Sequence, residues 1–281
     1  MRQIQPLTEM VKATRAYAGG DFDVRMQETG DCGEISELAA SFNAMADSLQ
    51  ETERQRRDFI ANVSHELKTP LTSMKVLADS LNGQEDVPVE LYREFMLDIG
   101  NEIERENKII NDLLSLVKMD KSASDLNITS VNINEMLDLI LKRLKPIAEK
   151  QHVDLVLESF RPVTAEIDEV KLTLAITNLV ENAIKYNKED GWVHVSLNAD
   201  YQYFYLKVED SGIGIPEDSL EHIYERFYRV DKSHSREIGG TGLGLAITRN
   251  AILMHRGAIK VFSTEGEGTL FTVRIPLNYI A

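Results

Sequence analysis

A histidine with an acidic neighbour is the first group of residues in this sequence that could do chemistry. His65 and Glu66 lie in the stretch Ser64–Pro70, where apolar residues recur every three or four positions and predict an amphipathic helix. The apolar face is formed by Ile60, Val63, Leu67, Leu71, Met74 and Ala78. His65 and Thr69 fall on the opposite side, so we expect both to face solvent. An imidazole beside a carboxylate can act as a nucleophile or a proton carrier, although an isolated exposed histidine is more often only a surface residue.

A second predicted helix presents amides and a lysine on one face. Asn178, Asn182 and Lys185 are spaced at i, i+4 and i+7, which places them on the same side of a helix. An asparagine carboxamide is a neutral oxygen ligand suited to Mg²⁺, which binds few protein groups when phosphates are present. The lysine could neutralise phosphate charge. For the two asparagines alone, a polar face on a surface helix is the simpler interpretation.

Two glycine-containing turns follow. Asp210 precedes a turn with Gly212 and Gly214, where the backbone can approach a flat ligand and the carboxylate can accept a hydrogen bond from an amine such as that of adenine. The stretch 239–246 opens a helix, and backbone amides at such a start bind anions. It lacks the ending of a Walker A loop, and no strand leads directly into it as in dinucleotide-binding loops. Each turn alone is weak support for a site.

The elements that must position these residues begin with two helical regions. Residues 1–58 are predicted to form two helices around a connector at 18–24, and the second helix carries a heptad seam typical of a coiled-coil bundle. The seam residues are Ile35, Leu38, Phe42, Met45 and Leu49. The charged run 51–58 contains no Gly or Pro and carries the heptad phase into the His65 helix, which predicts one continuous rod.

Residues 59–120 are predicted to form a helical hairpin. Its first arm ends near Gly83 and its second runs from Val89 to about Met119. The apolar side of the second arm is formed by Ile99, Ile103, Ile110, Leu113 and Val117. Because two helices cannot bury both apolar stripes alone, we expect a symmetric dimer that forms a four-helix bundle. Packing of the stripes against the C-terminal domain is the alternative.

The chain from residue 126 onward alternates helices and strands. Helices are predicted at about 133–150, 169–186 and 244–255, and strands at 192–198, 203–208, 258–263 and 270–275. Short turns between consecutive strands predict a mostly antiparallel mixed sheet with helices on one face.

Composition narrows the classes of protein to which the chain can belong. Its net charge of −15 over 281 residues argues against binding to nucleic acid or to anionic membranes. The single cysteine, Cys32, excludes an internal disulfide. No apolar run of about 18 residues and no leader-like start occur, so the sequence predicts neither a membrane span nor a secretory signal. We therefore expect a cytoplasmic chain.

Taken in order, the motifs resemble those of the two-component sensor histidine kinases. They match the family's phospho-acceptor motif, N box, G1 box, F box and G2 box at residues 64–70, 178–186, 210–216, 225–229 and 240–244. Residues 6–50 are similar to a HAMP signal-transducing module, although the usual Asp-Glu pair is here Gly33-Glu34. The resemblance covers nearly the whole chain.

The resemblance implies a multidomain protein with an all-α N-terminal part and an α/β sandwich. The domains it implies are a HAMP-like coiled coil at 1–50, a helical linker at 51–58, the dimerising and phosphotransfer hairpin at 59–122, and a catalytic domain of the Bergerat ATP-binding fold at 123–281. It also implies ATP and Mg²⁺ as cofactors. Asn182 would hold Mg²⁺, Asp210 adenine, and Lys185 and Arg229 the phosphates. The other implied binding residues are Asn178, Tyr186, Gly212, Gly214, Gly240, Thr241, Gly242, Leu243 and Gly244, with 228–241 as a lid.

The activity implied by the resemblance is autophosphorylation of His65, with Glu66 accepting or orienting the proton on the other ring nitrogen. The phosphoryl group would pass to an aspartate on the receiver domain of a response regulator, and Thr69 could hold a water for the reverse dephosphorylation. HAMP modules normally follow a membrane helix, so we expect an upstream sensor and span to be missing from this sequence, unless the protein is soluble. Two alternatives stay open: an ATPase of the gyrase and heat-shock chaperone class without a phosphohistidine, and a coiled-coil scaffold that only binds nucleotide.

Overall fold

The computed structural model describes residues 4–26, 33–83, 88–121, 126–230 and 240–279. It divides into two compact units, Met1–Lys68 and Thr69–Ala281. Three helices come first: α1 (Ile4–Ala18), α2 (Gly33–Asn82) and α3 (Val89–Lys121). The remaining elements are β1 (Thr129–Asn132), α4 (Ile133–Lys150), β2 (Asp154–Ser159), β3 (Thr164–Ile167), α5 (Glu169–Lys185), β4 (Trp192–Ala199), β5 (Tyr203–Asp210), a one-turn 3-10 helix (Glu217–Ser219), α6 (Gly244–Met254), β6 (Ala258–Thr264) and β7 (Gly268–Pro276).

In the unit Met1–Lys68, a small core joins α1 and the connector to α2. This core is formed by Ala13, Met26 and Ala39, with Met10, Val24 and Phe42 packed against it. The rings of Tyr17 and Phe42 stack with their centroids 4.9 Å apart. The Asn43 side chain fixes the connector, because its Oδ1 accepts from the Met26 N–H at 2.8 Å and its Nδ2 donates to the Met26 carbonyl at 3.0 Å. The connector is therefore attached to α2 at an apolar and a polar point.

The predicted heptad seam of α2 is divided between two environments. Phe42 packs against Tyr17 within the chain, whereas Leu38, Met45 and Leu49 remain 50%, 49% and 38% exposed. Small residues, Ala39 and Ala46, take the buried positions instead. Three of the large seam residues are therefore left for contacts outside the single chain.

The predicted continuous helix is confirmed, since α2 runs from Gly33 to Asn82 without interruption. Its charged stretch contains ion pairs at helical spacing, such as Glu53 with Arg56 at 3.6 Å and with Arg57 at 3.4 Å. Pro70 lies inside the helix and its ring is buried. Because proline lacks an N–H, the Glu66 carbonyl has no donor one turn later, and the bend that we expect there stays a prediction.

The predicted arms of the hairpin agree with the ends of α2 and the start of α3, and the turn at 84–87 lies outside the described residues. Much of the apolar surface of both arms is exposed in the single chain. Examples are Ile60 and Leu71 on α2 and Ile103, Ile110 and Val117 on α3. The last turns of α3 differ, because Leu116 and Met119 pack against α5 and α6. Of the predicted stripe, only Leu113 packs against this cluster, and dimer contacts stay the expectation for the rest.

The sheet is mixed, as predicted. Its five strands lie in the order β2-β4-β5-β7-β6; β2 pairs with β4 in parallel, and the other neighbours are antiparallel. A separate two-stranded sheet pairs β1 with β3. The sequence did not predict β1, β2 or β3. The carboxyl end of β5 and the start of β7 lie side by side, with Asp210 opposite Thr269.

Helices α4, α5 and α6 cover one face of the sheet, and side chains alternate between this core and the surface along each strand. On β4, Val193, Val195 and Leu197 are fully buried, while the residues between them are partly exposed. Side-chain caps start two of the helices: Asn132 accepts from two N–H groups of α4, and Asp168 accepts from the Lys171 N–H of α5. These caps satisfy backbone donors that the first helical turn leaves unpaired, and they fix where α5 begins.

Candidate functional site

A cavity of about 530 Å³ lies in the unit Thr69–Ala281, within the size range of small-molecule sites. Its walls come from α5, the turn after β5, the segment around Tyr228, the glycine-rich segment before α6, β7 and α3. The structure brings most of the predicted binding residues to this one cavity. The predicted residues that line it are Asn178, Asn182, Lys185, Tyr186, Asp210, Gly214, Arg229, Gly240, Thr241, Gly242 and Gly244.

Two predicted binding residues, Gly212 and Leu243, are not part of the lining. The Gly212 N–H donates to the Asp210 carboxylate at 2.9 Å, so this glycine shapes the turn. The Leu243 side chain is fully buried in an apolar cluster with Ile247 and Ala175. Both residues support the wall of the cavity, and a direct contact of Leu243 with a ligand would have to come from its backbone.

Asp210 provides the acceptor at the end of β5. Its Oδ1 accepts from the Gly212 N–H at 2.9 Å and from the Thr269 N–H at 3.2 Å. Burial raises the pKa of this carboxyl to about 6, against the opposing effect of the two N–H groups. Near pH 7 it is mostly ionised, and Oδ2 carries lone pairs for which the amine of a purine is a suitable donor.

Two glycines of the cavity wall have a backbone conformation that other residues rarely adopt. Gly214 has a φ of 69°, and a Cβ there would collide with the carbonyl of Thr264. Gly242 has a φ of 68°, and a Cβ there would lie 2.8 Å from the backbone of Phe227. Both positions therefore need glycine for conformation and for space, which lets the backbone itself form the wall.

Helix α5 places its amides and its lysine along the cavity. Asn178 is nearly buried, and its Nδ2 donates to the Gly244 carbonyl at 3.2 Å, which ties α5 to the start of α6. Asn182 lies one turn further on and lines the cavity. Burial lowers the pKa of Lys185 to about 8, and the nearby cations Lys108 and Arg229 act in the same direction. Lys185 is still mostly protonated at pH 7, so an anion bound beside it would relieve the repulsion among the three cations.

The glycine-rich segment begins α6. Thr241 organises it: its hydroxyl accepts from the Leu243 N–H at 3.2 Å and donates to Asp112 of α3 at 2.8 Å. The Phe227 N–H donates to the Gly242 carbonyl at 2.9 Å, which joins this segment to the one that carries Tyr228 and Arg229. The predicted lid at 228–241 falls largely on residues 231–239, which lie outside the described residues, and the lid stays a prediction.

Among the residues of the cavity wall that the sequence analysis missed are two charged residues of α3. Lys108 and Asp112, both on α3, line the cavity, and Lys108 Nζ lies 2.9 Å from Glu181 Oε2 on α5. In the sequence they resemble residues on the solvent-exposed side of a hairpin helix. The only signal that could have found them is their spacing of one helical turn, with Leu116 and Met119 following on the same side.

His65 is described within the unit Met1–Lys68. Its side chain is 73% exposed, as predicted, and its Nδ1 lies 3.7 Å from Glu66 Oε1. Thr69, one turn later in α2, is partly buried. In the described part of the chain, no group of three or more His, Cys, Asp or Glu residues could hold a metal. A divalent cation in the cavity would therefore depend on amide oxygens such as that of Asn182 and on the ligand's own phosphates. This donor set suits Mg²⁺.

Three family models match the chain in succession. A HAMP domain matches residues 1–51, a His Kinase A (phospho-acceptor) domain matches 55–122, and the histidine kinase-, DNA gyrase B-, and HSP90-like ATPase family matches 167–279. Together they cover the exposed histidine and the cavity. Among the described residues, no helix is both long and apolar enough to cross a membrane.

Individual relatives point the same way. Sensor histidine kinase WalK of Bacillus subtilis (strain 168) is 38% identical over 230 residues, which cover 81% of this chain and 38% of that protein. Sensor protein kinase WalK of Staphylococcus aureus is 36% identical over 262 residues, which cover 92% of this chain and 62% of the relative. This chain thus spans less than two thirds of either relative. A solved structure of histidine kinase ThkA in complex with response regulator protein TrrA is 25% identical, with a TM-score of 0.65, covering 82% of this chain and 66% of that one.

Proposed function

The chain belongs to the two-component sensor histidine kinases, and from this membership we propose that it phosphorylates its own His65 with ATP and then passes the phosphoryl group to an aspartate of a response-regulator receiver domain. The observation that carries the proposal is the pairing of two sites in one chain. One is an exposed histidine with a carboxylate at 3.7 Å. The other is a cavity that combines an amine acceptor, Asp210, with the cations Lys185 and Arg229.

The cavity supports ATP as the ligand. Asp210 accepts from the exocyclic amine of adenine, and the backbone around Gly214 forms the wall against which the base lies. Lys185, Arg229 and the amides of the glycine-rich segment before α6 bind the phosphates. Asn182 is the residue that would hold Mg²⁺, which when bound neutralises phosphate charge and orients the terminal phosphate.

The transfer step uses the exposed imidazole as the nucleophile. One ring nitrogen of His65 attacks the terminal phosphorus in line, a nitrogen–phosphorus bond forms, and the bond to the bridging oxygen breaks so that ADP leaves. Glu66 receives or orients the proton of the other ring nitrogen, for which its position beside Nδ1 is suitable. The contribution of the protein is positioning and charge neutralisation.

Thr69 supports a second activity, removal of the phosphoryl group from the regulator. Its hydroxyl follows His65 by one helical turn and is a suitable group to hold the attacking water. Thr69→Ala is expected to keep the labelling of His65 and to lose this phosphatase activity.

The protein acts as a homodimer through the exposed stripes of α2 and α3, and as the cytoplasmic part of a sensor whose membrane span lies upstream.

Labelling with γ-³²P ATP tests the kinase. The wild-type chain is expected to acquire label that is lost in acid and stable in base, as a phosphohistidine requires, and to pass it to a receiver domain. His65→Ala should abolish the label while still binding nucleotide, and Asn182→Ala should abolish it with His65 intact. Release of free phosphate without protein label would favour the gyrase-like ATPase instead. Nucleotide binding with neither label nor phosphate release would favour the scaffold.

A further inference from the structure

Helix α3 forms part of the cavity wall as well as part of the hairpin. Its last turns dock on the catalytic domain through Leu116 and Met119, which are buried against Ala175 and Ile247. One and two turns before Leu116, Asp112 and Lys108 line the cavity. The same helix face thus combines an apolar contact with two charged groups at the place where we propose that a nucleotide binds.

Asp112 is attached to the glycine-rich segment itself. Asp112 is only 8% exposed, and its Oδ2 accepts from the Thr241 hydroxyl at 2.8 Å. The hydroxyl of Thr241 also accepts from the Leu243 N–H, so the carboxylate is coupled to the backbone that would bind phosphates. Burial raises the pKa of Asp112, and the Thr241 hydroxyl and Lys108 oppose this effect.

A second acidic group lies nearby. Glu181 adds to the raised pKa of Asp112, and it is paired with Lys108 at 2.9 Å. This ion pair fixes α3 at a second point, although at a partly exposed position such a pair contributes little to stability. Because Lys108 is paired with Glu181, the direct partner of Asp112 in the site is the Thr241 hydroxyl.

We propose that, while α3 is docked, the negative charge of Asp112 weakens the binding of nucleotides to the cavity according to their phosphate charge. Docking of α3 and binding of ATP therefore oppose each other. The inference rests on the proposed nucleotide function of the cavity. Phosphates bound to the segment at Thr241 meet the carboxylate of Asp112, which belongs to α3 and is hydrogen-bonded to that segment, and like charges repel each other more strongly at a buried position than in water. Adenosine, which has no phosphates, does not meet it. By linkage, ATP weakens the docking of α3 by the same factor by which docked α3 weakens ATP.

Calorimetric titration of the full chain in the presence of Mg²⁺ tests this proposal, with adenosine and the non-hydrolysable analogue adenylyl imidodiphosphate as probes. Asp112→Asn keeps the size of the side chain and an acceptor for Thr241 but removes the charge. It is expected to raise the affinity for the analogue roughly five- to twentyfold and to leave adenosine within about twofold. Asp98→Asn, at an exposed position of α3 outside the cavity lining, is the matched control and should change neither.

A second variant tests the link to docking. Leu116→Ala weakens the apolar contact of α3 without changing charge and is expected to raise the affinity for the analogue as well. Because Asp112 acts only in the docked state, the two effects should not add in the double variant. Equal gains for adenosine and the analogue, or no gain for Asp112→Asn, would overturn the proposal while leaving the nucleotide site in place. If the wild-type chain bound neither probe, the proposed function would fail together with this inference.

Discussion

Asp210 has opposite requirements in the free and the bound protein. In the free protein, burial places its pKa at about 6, above the ordinary value of 3.8, so the protonated form favours folding. That stabilisation is present below about pH 4 and is lost as the pH rises through about 6. In the complex that we propose, adenine requires the ionised form, because the carboxylate must accept from the amine. The charge of Asp210 thus lowers the stability of the free protein and favours the occupied site.

The first prediction concerns this residue. The affinity of the chain for ADP is expected to rise about tenfold between pH 5 and pH 7, because the ionised fraction of a group with a pKa near 6 rises by about that factor. Asp210→Asn can keep the bonds from Gly212 and Thr269 but offers an amide nitrogen in place of Oδ2. It should bind ADP weakly at both pH values, with only the slope that ADP itself contributes. Calorimetry at several pH values measures both, and an equal rise in wild type and variant would contradict the role of Asp210.

Among the elements, those with a local signal could be predicted and those made by distant contacts could not. The start of α4 follows from Asn132, whose side chain caps the helix, and the strands β4 to β7 follow from alternation of side chains. Strands β1 and β3 are only four residues long, too short for a distinct pattern in the sequence, and they pair with each other across more than 30 residues of chain. The contact of Asp112 with Thr241 joins residues 129 positions apart, and no local pattern reveals it.

For the site, too, only features with a local sequence pattern could be predicted. Its glycines, Asp210 and the face of α5 were predicted because each motif shapes its own backbone. Asn178 was expected to bind ligand, and the structure adds its bond to the Gly244 carbonyl, which only the folded α5–α6 pair can form. Lys108 was not predicted because its partner Glu181 lies on another element.

A second prediction belongs to α5 and α6. Asn178→Ala removes the nearly buried donor of the Gly244 carbonyl and is expected to lower the free energy of unfolding by about 1–3 kcal/mol. Asn187→Ala would not be a matched control, since the Asn187 side chain donates to two backbone carbonyls. Asn250→Ala, at a partly exposed position of α6, is the better comparison and should change the free energy of unfolding by less than about 0.5 kcal/mol. Denaturant unfolding followed by circular dichroism measures both. Equal stability of the two variants would show that the α5–α6 tie contributes nothing.

A third prediction belongs to α2. The helix is continuous from Gly33 to Asn82, so one residue inserted after Thr52 rotates everything beyond it by about 100°. We expect this insertion to shift the ratio of His65 labelling to regulator dephosphorylation. An insertion of seven residues restores the heptad phase and serves as the control, with a ratio close to that of the wild type. If the single insertion left the ratio unchanged, α2 would not transmit rotation.

On the scale of the whole molecule, the two groups that the proposed phosphoryl transfer requires belong to different compact units. His65 lies in the unit Met1–Lys68 and the cavity in the unit Thr69–Ala281. Transfer therefore depends on what brings a loaded cavity to a histidine, in its own chain or in a second copy. The exposed apolar stripes indicate that a second copy is present, because a single chain would leave large side chains on two helices in water.

The last prediction tests that second copy. Leu71 is 54% exposed on α2, and Leu71→Glu would place a carboxylate inside the proposed four-helix bundle, where burying an unpaired charge is costly. In sedimentation equilibrium, the wild type is expected at twice the 31.8 kDa of one chain, and the variant is expected to dissociate at concentrations roughly 100-fold higher. Leu139→Glu changes a leucine that is even more accessible, 65% exposed on α4, and should leave the dimer intact. A wild-type chain that sediments at the mass of one chain, or two variants that dissociate alike, would remove the dimer from the proposal and confine the transfer to a single chain.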